Sequence, residues 1–163
     1  MSISLDSTFL EYPDNNNIAT IVYMDGCDKK CEGCHNRSLQ RWEDYGSSEN
    51  IIENIRNYTE KLNTNKVVLC GGDPLYWQNI PLTKKILQKL GEKFDICIYT
   101  GRLIQEVENL GLEGFKFIKC GKFDRNTYRP PIKTDKKMVL SSANQEFYDS
   151  NYNQLSKNGI LYF

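Results

Sequence analysis

Three cysteines, Cys27, Cys31 and Cys34, stand in a Cys-x3-Cys-x2-Cys run within Gly26-Cys27-Asp28-Lys29-Lys30-Cys31-Glu32-Gly33-Cys34-His35-Asn36. Three thiolates hold three corners of a cubic [4Fe-4S] cluster and leave the fourth iron open to another ligand. The same side chains also suit zinc, but a structural zinc site closes with a fourth ligand, usually at a second short pair spacing. No second Cys-x2-Cys or His pair follows. Cys70, Cys97 and Cys120 are isolated, and His35, the sole histidine, directly follows Cys34. The spacing therefore favours an open cluster over a closed zinc site.

A second feature follows the apolar run Lys66-Val67-Val68-Leu69-Cys70, which ends in Gly71-Gly72-Asp73-Pro74. Paired glycines after a β-branched run let backbone approach a ligand closely. Taken alone, the segment also reads as an ordinary turn.

Together with the cysteine run, Gly71-Gly72-Asp73 resembles the Gly-Gly-Glu-type motif of the radical S-adenosylmethionine (SAM) enzymes. Five segments, Cys34-His35-Asn36-Arg37, Gly71-Gly72-Asp73-Pro74-Leu75, Tyr99-Thr100-Gly101, Gly121-Lys122-Phe123 and Ser142-Ala143-Asn144-Gln145, narrow the resemblance. They are similar, in this order, to the anaerobic ribonucleoside-triphosphate reductase activating proteins, over the chain from about Ile18 to Gln145.

The resemblance implies a radical SAM activase. Cys27, Cys31 and Cys34 would ligate the [4Fe-4S] cluster, and Gly71, Gly72 and Asp73 would hold the methionine amino group of SAM. The amino and carboxylate groups of SAM would chelate the open iron, and one electron from the reduced cluster would break the carbon-sulfur bond. The 5'-deoxyadenosyl radical would take a hydrogen atom from a backbone glycine of the large anaerobic ribonucleotide reductase subunit. No side chain is assigned as an acid or base, since the cofactor carries the chemistry.

The remaining positions carry two readings each. His35 and Asn36 line the adenine side of the pocket or cap the next helix. Thr100 touches the ribose or sulfonium region or serves as a helix cap, and Asn144 and Gln145 lie near SAM by the same resemblance. Lys29 and Lys30 dock an acidic electron donor such as flavodoxin, steady the cluster's charge, or form a solvated loop beside Asp28 and Glu32. Three positions depart from the family pattern: Cys70 replaces a small hydroxyl residue, Cys120 an aspartate and Ser141 a glycine. Cys70, Cys97 and Cys120 read equally as small buried hydrophobes.

The elements that must position these residues fit one domain over residues 1–163. That length is well short of the roughly 250 residues of a complete eight-stranded βα barrel, so an incomplete TIM-like barrel of mostly parallel strands is expected. Its open side would admit a glycine-bearing loop. Lys plus Arg and Asp plus Glu are 21 each, which leaves no field for nucleic acid or an anionic membrane. Met1 to Leu10 lacks a signal-peptide pattern, and no stretch approaches the ~20 apolar residues of a membrane span. A cytoplasmic protein with reduced cysteines is expected.

Apolar spacing predicts strands at Ile18 to Met24, Val67 to Cys70, Phe94 to Tyr99 and Phe115 to Cys120. Helices are predicted over Glu49 to Leu62, capped by Ser47 or Ser48 and burying Ile51, Ile52, Ile55, Tyr58 and Leu62. A second runs from Pro81 to Gly91 with Ile86, Leu87 and Leu90 inward, and a third from Leu103 to Leu110, closed by Gly111. Asn15-Asn16-Asn17 reads as a polar turn, Lys122 to Lys137 as a long polar loop, and Met138 to Leu140 and Ile160 to Phe163 as short strands. In such a βα order the cysteine loop, Gly71 to Asp73 and Thr100-Gly101 each leave a strand's carboxyl end and converge. Two other function classes share part of this pattern. One is a radical SAM enzyme acting on another glycyl-radical enzyme or a small molecule; the other is a non-enzymatic metal-binding or electron-transfer module.

Overall fold

Four consecutive parallel strands carry the architecture: Ala19–Met24 (β2), Lys66–Gly71 (β3), Asp95–Tyr99 (β4) and Phe117–Cys120 (β5). The computed structural model describes residues 3–14 and 18–163; the expected turn at Asn15 to Asn17 lies outside them. Ile3–Thr8 (β1) flanks β2 antiparallel. Three further strands, Ile132–Lys133 (β6), Lys137–Val139 (β7) and Glu146–Asp149 (β8), follow β5. β8 closes the other edge antiparallel to β5, so the sheet runs β1-β2-β3-β4-β5-β8. Ser156–Lys157 (β9) and Ile160–Tyr162 (β10) complete a small antiparallel sheet of order β6-β7-β10-β9.

β2, β3 and β4 are buried on both faces along most of their length, which explains why they read as mainly apolar runs, while β5 carries Lys119 on one face. Side chains alternate across the sheet. Met24, Leu69, Ile98 and Ile118 face Ser48–Lys61 (α1), Ile80–Leu90 (α2) and Ile104–Glu108 (α3). Ile21, Val68 and Cys97 face the other way, toward Met138, Leu140, Phe147 and Leu161. All helices thus lie on one face and the small sheet on the other.

α1 begins where Ser47, rather than Ser48, accepts the Asn50 amide proton at 3.3 Å. Such a cap contributes about 1 kcal/mol. Its inward face holds Ile51, Ile52 and Ile55 as expected, but Thr59 is buried in place of Tyr58. The Thr59 hydroxyl donates to the Ile55 carbonyl at 2.7 Å and meets the Thr20 hydroxyl of β2 at 2.8 Å, so a polar side chain is satisfied inside the core.

α2 starts one residue before Pro81, and Gly91 ends it with φ −66, not in the left-handed conformation of a typical glycine cap. Its need for glycine is steric: a Cβ there would lie 2.5 Å from the Gly114 carbonyl oxygen. α3 is shorter than expected, while Gly111 beyond it does take φ +63. The segment from Lys122 to Lys137 is not an unbroken loop. It contains a 3-10 turn at Arg125–Thr127 and strand β6, because its short strands find partners in β7.

Candidate active site

The loop carrying the cysteines leaves β2 and is pinched shut at its base. Gly26 N–H donates to Leu39 O at 2.6 Å and Cys27 N–H to Gln40 O at 2.9 Å. Inside, Cys34 N–H donates to Cys31 O at 3.2 Å, and Lys30 and Gly33 take left-handed φ values of 49 and 77. Cys27, Cys31 and Cys34 are half-exposed and border one cavity of about 160 Å³. Burial pushes the Cys27 thiol up to about 11, against the Lys29 amide that donates to its sulfur at 3.5 Å; the Asp73 and Cys31 charges add to the rise.

Gly71 and Gly72 border the same cavity and are locked under the cysteine loop. Gly72 N–H donates to Met24 O and Asp73 N–H to Gly26 O, both at 2.7 Å. Gly71 takes φ +115, a conformation open to glycine, and a Cβ on Gly72 would lie 2.5 Å from both Gly26 O and Leu39 O. The close approach foreseen for this pair is first of all to the cysteine loop's own backbone. Asn36 donates its amide to Gly71 O at 3.3 Å, which ties the far side of the loop to β3.

Asp73 and Thr100 are buried and fully engaged with protein. Asp73 Oδ1 accepts from Leu75 N–H at 2.8 Å, and Oδ2 accepts from Gly101 N–H at 2.9 Å and the Thr100 hydroxyl at 3.1 Å. Burial raises the Asp73 carboxyl above its ordinary pKa, while these hydrogen bonds and Arg102 oppose the rise. Thr100 Oγ1 in turn accepts from Arg102 N–H at 3.1 Å; the α3 cap position is Leu103, so Thr100 turns the chain without capping that helix.

His35 is exposed at the cavity rim, its ring edge-on to Phe123 at 5.6 Å. Of the late pair, Gln145 borders the cavity and donates to Gly121 O at 3.3 Å. Asn144 is exposed, lies off the cavity lining and donates to Lys122 O at 2.9 Å. The cysteine loop, Gly71-Gly72-Asp73 and Thr100-Gly101 do converge at one edge of the sheet.

Two contributors lie outside the sequence motifs. Asn79, buried at the start of α2, donates to Asp25 O at 2.7 Å and Asp73 O at 2.9 Å and accepts from Trp42 Nε1 at 3.1 Å. Lys119, on β5, borders the first cavity and an adjoining one of about 340 Å³. Polar signals of this kind depend on tertiary placement; only Asn before a Pro-containing helix start hinted at the first.

Among the described residues, no three His, Cys, Asp or Glu side chains are gathered closely enough to hold a metal ion. The donor set still fits an iron-sulfur cluster: three half-exposed thiols on one loop face a common cavity, as cluster ligation requires. The two adjoining cavities together fall within the roughly 300–1,000 Å³ typical of small-molecule sites.

The mostly parallel α/β sheet, with a three-cysteine loop and a glycine pair at its carboxyl edge, defines a cluster-binding class of domain. The chain belongs to the 4Fe-4S single cluster domain family, whose match spans residues 17–148. Among its relatives, the anaerobic ribonucleoside-triphosphate reductase-activating protein of enterobacteria phage T4 is 27% identical over 139 residues, covering 80% of this chain and 83% of that protein. The Escherichia coli K12 protein of the same name is 28% identical over 121 residues, covering 68% and 78%, and that of Salmonella typhi 25% over 122 residues with the same coverage. No solved structure gives a significant match.

Proposed function

We propose that this protein is a radical SAM activase that generates a glycyl radical on an anaerobic ribonucleotide reductase. The observation that carries the reading is the convergence of Cys27, Cys31 and Cys34 with Gly71 and Gly72 on one cavity at the carboxyl edge of the parallel strands. The names of its relatives support the reductase as target.

Cys27, Cys31 and Cys34 would hold the [4Fe-4S] cluster. When bound and reduced, the cluster would supply the electron that cleaves SAM, whose deoxyadenosyl fragment takes the hydrogen atom of the partner's glycine. Gly71 and Gly72 present backbone to the methionine end of SAM. Asp73 acts from behind, bracing the turns after β3 and β4, since its oxygens are already satisfied. His35 at the rim and Gln145 on the floor border the same cavity. In this reading the sheet is an incomplete barrel whose helix-free face admits the partner's glycine loop, and a flavodoxin-type donor reduces the cluster in the cytoplasm.

The test is anaerobic reconstitution with iron and sulfide, dithionite reduction, and assay of SAM cleavage with and without the reductase. Cleavage accompanied by a glycyl radical in the electron paramagnetic resonance spectrum of the partner is expected. Cleavage without that radical would move the substrate elsewhere; tight zinc and no cluster would end the radical SAM reading.

A further inference from the structure

On the face opposite the helices, each parallel strand ends in one member of a row: Tyr23 on β2, Cys70 on β3, Tyr99 on β4 and Lys119 on β5. Tyr23 is in register with Cys70, and Tyr99 with Lys119. Cys70 stands one residue beyond the Leu69 and Ile98 pair, which sets it beside Tyr99. This row floors the second cavity, and Cys70, Tyr99 and Lys119 also border the first.

Lys119 is the charged member. Its ammonium lies 4.0 Å from the centroid of the Tyr99 ring and, among the described residues, makes no hydrogen bond or ion pair. The other lysine of this cavity, Lys133, differs: its ammonium faces Asp14 at 3.8 Å. Tyr99 spends its hydroxyl on the Glu11 carbonyl. The Tyr23 hydroxyl on the floor and the His35 ring at the rim have no hydrogen-bond partner among the described residues.

A half-buried ammonium without an acceptor is costly unless an anion joins it. Burial lowers the Lys119 pKa; the Glu11 charge is the largest opposing influence, yet Glu11 forms no ion pair with it. Among the described residues, Lys119 is the cation that borders both cavities. With the Tyr23 hydroxyl and the His35 ring beside it, it suits the two oxygens of a carboxylate, and the Glu11 carboxylate on the second cavity disfavours a more highly charged anion there.

We propose that Lys119, with Tyr23 on the floor and His35 at the rim, forms a carboxylate-binding subsite where the two cavities meet. The carboxylate comes from the methionine end of SAM, reached through the first cavity, or from an acidic group on the reductase segment in the second. What supplies it rests on the functional reading above; the subsite itself rests on Lys119 and its surroundings.

The first arm uses the full chain labelled with 15N-lysine and titrated with sodium acetate against sodium chloride at equal ionic strength. A saturable displacement of the Lys119 side-chain signal by acetate alone is expected, and absence of any acetate-specific change overturns the subsite. The second arm measures binding of SAM and of decarboxylated SAM to the reconstituted protein by equilibrium dialysis, for wild type, Lys119→Met and Lys119→Arg. A loss of about tenfold or more for SAM in Lys119→Met, with partial recovery in Lys119→Arg and no change for decarboxylated SAM, assigns the methionine carboxylate. Unchanged SAM affinity with weakened reductase binding assigns the partner's carboxylate, and no change in either overturns the proposal. Acetate recognition in a wild-type protein that binds no SAM supports the subsite while removing the SAM reading. Thermal unfolding of each variant verifies that it folds.

Discussion

The buried carboxylate of Asp73 accepts the backbone N–H of Gly101 at 2.9 Å, joining the turn after β3 to the turn after β4 across the candidate site. The same oxygen takes the Thr100 hydroxyl, and its partner oxygen takes Leu75 N–H. An asparagine has the same shape but offers only one acceptor. In Asp73→Asn its amide nitrogen would confront a donor on one side or the other, at a cost of about 1–3 kcal/mol. A lower midpoint in denaturant and weaker retention of iron are expected; unchanged values of both would show that the brace is unimportant.

Gly72 and Gly46 separate crowding from backbone strain. A methyl group on Gly72 would lie 2.5 Å from two backbone carbonyl oxygens, Gly26 O and Leu39 O, at the pinched base of the cysteine loop. Neither can swing aside as a side chain would, so Gly72→Ala should cost about 1–3 kcal/mol and displace the loop that carries Cys27, Cys31 and Cys34. Gly46 has φ +75, and a methyl group there would meet nothing within 4 Å, so Gly46→Ala should cost only the roughly 1–2 kcal/mol of left-handed backbone. Iron content after reconstitution distinguishes them: loss in the first, retention in the second.

The six cysteines divide by accessibility. Cys27, Cys31 and Cys34 are half-exposed, whereas Cys70, Cys97 and Cys120 are 8%, 0% and 3% exposed. Burial pushes the Cys120 thiol up to about 12, with Asp73 and Glu146 adding to the rise, which keeps it protonated and slow to react. A thiol reagent on the folded, metal-free chain should modify Cys31 and Cys34 first and Cys27, whose thiol burial pushes up to about 11, more slowly, with the other three reacting only on unfolding. Alanine at Cys27, Cys31 or Cys34 should each abolish the cluster, and Cys97→Ala should keep it. Iron retained at full stoichiometry in Cys31→Ala would refute this ligand set.

Asn79 shows where legibility ended. Its amide serves Asp25 O, Asp73 O and Trp42 Nε1 at once, so Asn79→Ala strands three buried or half-buried groups and should cost about 2–3 kcal/mol, measured by chemical unfolding. A cost near zero would mean that water replaces the amide. Sequence spacing revealed β2 to β5 and the helices between them because the strands are mainly apolar and each helix has an apolar stripe. It also placed the cysteine loop and the glycine pair at strand ends. It missed β1, β8 and β9 and read β6 as loop, because strands of two to six residues with polar members are defined by their partners. It missed Asn79 and Lys119 for a related reason: a polar side chain acquires its role from the neighbours that the fold brings to it.

Lys119 offers a pH signature independent of any ligand. Burial lowers its pKa in the folded chain, so the folded state gives up the proton more readily than the unfolded state. Between the depressed folded value and the ordinary unfolded value the unfolded chain binds more protons, and stability contributed by this site rises with pH. Below the depressed folded value the ammonium is carried in both states, and there its burial is a net cost, which Lys119→Met removes with a side chain of similar reach. The variant should therefore be more stable than wild type there, and the gap should close as pH rises through that window. Chemical unfolding at a series of pH values measures the difference directly. Parallel stability curves for the two proteins would mean that the ammonium is as well solvated in the fold as outside it, and would remove the electrostatic reason for an anion to bind there.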